Sequence, residues 1–151
     1  MSKWDIDKST YASNYSVGVG HQASYMVSGQ PYITGAAAMV EGREDKIIFP
    51  FVTKKFTVIT SGTITNPVVR ISFATTASTN TNSPHTPATN VLANKHYIQL
   101  DGDEESFTFN CKCQYVYIST IKANSGYQLY AELTRIDGRQ MYFLTGSGID
   151  T

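Results

Sequence analysis

The densest cluster of groups able to do chemistry is acidic: Asp101, Asp103, Glu104 and Glu105, within DGDEE. Carboxylates around a glycine can hold calcium, which takes about six to eight oxygen ligands. This run lacks the spacing of a complete calcium loop and falls where a hairpin turn belongs, so a solvated turn is expected. The second cluster is the thiol pair Cys111 and Cys113. Thiolates serve zinc only as part of a full ligand set with recognisable spacing, and His21, His85 and His96 are not spaced to complete one. Residues two apart on a flat strand share a face but stand roughly 6–7 Å apart. The pair is therefore expected to be unbridged and to fill core. No GxSxG elbow, phosphate-cradling glycine loop or zinc-protease helix motif occurs. The expectation is a protein that is not an enzyme, with no catalytic, cofactor-binding or metal site.

Tyrosine is the more suggestive residue, with 10 in the chain. Its ring is apolar and its hydroxyl polar, which suits contacts where water is only partly excluded. Tyr115, Tyr117, Tyr127 and Tyr142 need no role beyond strand packing. Tyr11, Tyr15 and Tyr25 lie where no core pattern exists. With Trp4 and Met26 they form one set of candidate interface residues. A second set, Asn80, Asn82, Pro84, His85 and Pro87, sits in the long uncharged stretch 74–94, a length typical of functional or mobile loops.

These groups must be positioned by strands. Residues 107–119, FTFNCKCQYVYIS, alternate with apolar or aromatic side chains at every odd position from Phe107 to Tyr117. That period reads as a single long strand, with both faces covered near its end. Further strands are expected over residues 47–49, 54–61, 68–73, 97–100, 127–134 and 140–145, with Pro50 marking a bend. Residues 31–40 read as an extended piece with a turn at Gly35 and one helical turn. Residues 41–45, EGRED, read as a charged turn, and Asp137-Gly138 as a hairpin. No amphipathic helix longer than about two turns is evident. The fold class is all-β: an antiparallel β-sandwich, of which the jelly roll is one form. Its organisation is an extended N-terminal arm (1–31), a sandwich domain (32–146) and a short C-terminal tail (147–151).

Charged residues make up 16% of the chain and the formal net charge is +0, which argues against a nucleic-acid partner. No stretch has the length of a membrane span, and no secretory signal opens the sequence. Free thiols fit synthesis in a reducing cytoplasm. Between Lys8 and Glu41 there is no Asp, Glu, Lys or Arg, although the sequence is mostly polar and carries tyrosines and glycines. Solvated tails are normally charged and poor in aromatics, so this segment reads as an arm that lies on something, or as outer strands of the domain itself.

The layout resembles small β-sandwich structural proteins of virus particles: decoration, cement or minor capsid proteins of phages and other double-stranded DNA viruses. It consists of the chargeless aromatic arm (9–30), the sandwich (46–145), the Thr/Asn/Pro loop (74–94) and the Gly-rich exit. The resemblance implies a homo-oligomer in the virion, made in the host cytoplasm, whose arm and loop contact other copies and a major capsid or shell protein. The alternative is a carbohydrate- or receptor-binding sandwich such as a fibre head, with exposed aromatic rings in a shallow groove.

Overall fold

In the computed structural model, residues 18–26, 28–75, 80–81, 90–144 and 148–149 are described. They form an antiparallel β-sandwich, as the sequence leads one to expect. One sheet contains, in spatial order, β1 (Gln30–Met39), β9 (Ser125–Asp137), β3 (Phe51–Gly62) and β7 (Ser106–Phe109). The other contains β5 (Asn80–Thr81), β2 (Arg43–Ile48), β8 (Tyr115–Ser119), β4 (Val69–Ser72) and β6 (Ile98–Leu100). Every pairing is antiparallel except that of the two-residue β5 with β2.

Alternation decides which side chains meet between the sheets. Phe56 and Val58 of β3 join Tyr127, Leu129, Ala131 and Leu133 of β9 from one side. Ile47, Val69, Ile71, Val116 and Ile118 close on them from the other. An aromatic spine runs through this core: Phe56 stacks on Phe109 at 4.7 Å between centroids, and Phe73 meets Phe109 edge-on at 5.9 Å.

The long strand expected over residues 107–119 is instead two strands in different sheets. The chain leaves the first sheet after β7, crosses over residues 110–114, and enters the second as β8. Alternation hides the crossing because the inward parity changes within it: Phe109 packs against the core from an odd position, Val116 and Ile118 from even ones. A second crossing runs beside it, where Phe49 and Pro50 carry the chain from β2 to β3. The two corners are bonded together, Phe49 N–H donating to Gln114 O at 2.7 Å and Thr53 N–H to Cys113 O at 3.1 Å. Pro50 thus marks a change of sheet.

Three other expectations are corrected. Residues 31–40 contain neither a turn nor a helical turn: β1 continues through Gly35, where a Cβ would lie 2.6 Å from Tyr127 O. The charged turn is confined to Glu41 and Gly42, and Glu44 and Asp45 are buried within β2. Asp137-Gly138 opens a 3-10 turn over Gly138–Gln140, without a return strand among the described residues that follow. The Asp137 carboxylate accepts from Arg139 N–H at 2.9 Å and from its guanidinium at 2.8–3.0 Å. That local bonding favours the 3-10 turn over a hairpin.

Candidate interaction surface

Among the described residues, β1 borders the first sheet and pairs with β9 along one side only. Its cross-strand partners carry the rows of the outer face: Ile33 opposite Tyr130, which is opposite Thr57, and Gly35 opposite Gln128, which is opposite Ile59. Ile33 is 76% exposed and Tyr130 40%. Ile33, Gly35, Ile59, Gln128 and Tyr130 line a shallow depression of about 780 Å³ that also touches Ala37 and Ser61. The charged groups bordering these rows, Lys55 and Glu132, pair at 3.2 Å. The face is consequently apolar and uncharged over several residues, a composition suited to contact with another macromolecule.

Of the expected arm residues, Tyr25 and Met26 lie within the described structure; Trp4, Tyr11 and Tyr15 lie outside it. Tyr25 belongs to a single helical turn, Ala23–Met26. Its ring packs with Val19 against Val52, Ile136 and Met141. Its hydroxyl donates to Val19 O at 2.9 Å, and the Lys112 ammonium sits 4.5 Å from the ring centroid while donating to the same carbonyl. Residues 18–26 therefore rest on the sandwich through a cation–π contact and a small apolar cluster. Met26 is 75% exposed. Of the loop set, Asn80 supplies backbone to β5 beside Arg43; Asn82, Pro84, His85 and Pro87 lie outside the described residues.

No protein-family model matches this sequence, and no curated protein matches it either.

Glu105 accepts from Asp101 N–H at 2.8 Å and Gly102 N–H at 3.0 Å, closing the acidic turn on itself. Thr60 Oγ1 donates to Gly102 O and Glu105 O and ties that turn to β3. Among the described residues no group of His, Cys, Asp and Glu is arranged to hold a metal ion. No helix among them is long and apolar enough to cross a membrane.

Cys111 and Cys113 are both free, the first half-buried and the second buried. A hydrogen bond from the Cys113 thiol pulls the Cys111 pKa down, against the opposing effect of burial. The same bond, reinforced by burial, pushes Cys113 up. Thr53 binds this corner: its hydroxyl donates to Cys111 O at 2.8 Å and accepts from Cys113 N–H at 3.0 Å.

Sequence reasoning did not find the β1 edge or the outer face beside it. The available signal was the absence of charge from Gln30 to Val40, where an exposed strand normally carries some.

Proposed function

We propose that this chain is a non-enzymatic structural component of a virus particle, a capsid, decoration or minor capsid protein, acting through contacts with other copies and with a shell protein. The observation that supports this reading is the uncharged edge strand β1 with its exposed apolar outer face. Soluble monomers usually guard such an edge with charge, whereas an assembly subunit uses it. On this reading residues 1–17 and the 74–94 loop supply further contacts, which accumulate around a symmetry axis into firm attachment. Immunogold labelling of particles pelleted from the source culture tests the reading. Label on the particles is the expected result; label confined to soluble host material overturns it.

A second reading, recognition of a carbohydrate or receptor, draws on the second sheet. There Arg70 lies 4.6 Å from the Tyr97 ring centroid and bonds Gln99 at 3.0 Å. A ring flanked by a cation and an amide is a suitable platform for a sugar. Saturable binding on a glycan array, lost in Tyr97→Ala, would favour it.

A further inference from the structure

The four sheet edges differ greatly in length. β7 has 4 residues, β5 has 2 and β6 has 3, against 10 in β1. Among the described residues, β1 therefore presents the longest row of backbone N–H and C=O groups with no strand beside it. Natural edges are blunted by charge, proline or bulges. Here Pro31 guards one end and the register shift between Ala36 and Met39 the other. Tyr32, Ile33, Thr34, Gly35 and Ala36 between them keep an unbroken register with β9 and carry no charge.

We propose that β1 is a homotypic edge: two copies pair β1 to β1, antiparallel, about a twofold axis normal to the sheet. The inference rests on the assembly reading above and names its partner surface. Such pairing joins two four-stranded sheets into one of eight strands. Because the axis is normal to the sheet, the two apolar depressions come to lie on the same side as one continuous surface. Charge selects the second copy as occupant. In a twofold strand pair each residue faces residues of its own strand, so a charge on β1 would meet its duplicate nearby. β1 has none, and an acidic or basic partner would find no counter-charge along it. The flanking Lys55–Glu132 pair is neutral as a unit.

The test is the solution mass of the full-length chain by light scattering, beside Ile33→Lys and Ala37→Lys. Both side chains are exposed, so each variant should keep the parent's circular dichroism spectrum. The expected result is a twofold species in the parent and half that mass in both variants. Hydrogen exchange provides a second readout: the β1 amides that point away from β9 should be protected in the parent and exchange freely in the folded variants, while those bonded to β9 stay protected in both. An assembled parent that both lysines leave intact overturns β1 pairing without touching the assembly reading. If deleting residues 1–17 dissolves that parent instead, the N-terminal segment is the contact. A parent that is monomeric at every concentration overturns β1 pairing, and if pelleted particles also carry no label the assembly reading falls with it.

Discussion

The Tyr127 hydroxyl donates to the Asp45 carboxylate at 3.2 Å, linking β9 of one sheet to β2 of the other in the sandwich interior. Arg43 completes the site from two residues away on β2, its Nε 2.7 Å from the second carboxylate oxygen. A buried carboxylate needs such partners, because leaving one of its lone pairs unsatisfied carries a desolvation penalty. Tyr127→Phe keeps the ring and removes the donor. The expected loss is about 1–3 kcal/mol of unfolding free energy, read from urea denaturation. A variant as stable as the parent would mean that Arg43 alone satisfies Asp45.

Tyr127 also sets an alkaline limit. Burial, then the charge and hydrogen bond of Asp45, raise its pKa well above that of a free tyrosine. Tyr25 shifts the same way through burial and Tyr142. Folded values above the unfolded value of about 10 give a contribution fully present below that pH and lost as pH rises through the folded values. Thermal stability should therefore fall above about pH 10, and less steeply in Tyr127→Phe. Melting temperatures measured across that range check both statements.

Gly126 lies where β9 begins, and a Cβ there would stand 2.5 Å from both Ala36 O and Ala37 O. Those atoms are backbone of β1 and cannot swing aside. Gly126→Ala should cost about 1–3 kcal/mol and disturb the adjoining end of β1. Calorimetry reads the first effect and β1 amide exchange the second.

At the paired corners, Thr53→Val removes a hydroxyl that satisfies both Cys111 O and Cys113 N–H. Destabilisation of about 1–3 kcal/mol is expected. Alkylation kinetics should follow. In the parent, the half-exposed Cys111 reacts first and the buried Cys113 remains inert; in the variant Cys113 gains reactivity. Equal rates for both thiols in the parent would contradict the corner geometry.

The strands legible in the sequence are those whose pattern reflects a single face. In β9, Tyr127, Leu129, Ala131 and Leu133 alternate strictly with more polar neighbours, and all four are buried. The corner at residues 110–114 was illegible because it preserves alternation while exchanging sheets. Tyr115 and Tyr117 extend the aromatic row, yet they belong to the outer side of the second sheet, where Lys46 stands 4.4 Å from the Tyr115 centroid. β1 failed for another reason. Gly35 and the three alanines after it have weak strand preference, and a distant partner, β9, imposes the extended form. The candidate surface inherits that difficulty, since it consists of residues from β1, β3 and β9 that only tertiary pairing brings together.

The central position of β9 has a kinetic consequence. It is flanked by β1 and β3, and Gln30 finds its partner only at Leu133. On a ribosome, β1 and β3 emerge long before the strand that separates them, so the first sheet cannot close until residues 125–137 have been made. Pairings this remote along the chain place folding at the slow, high-contact-order end of small-domain behaviour. During that interval the apolar rows of β1 and β3 stand open, the period in which a nascent chain is most exposed to aggregation and to capture by chaperones.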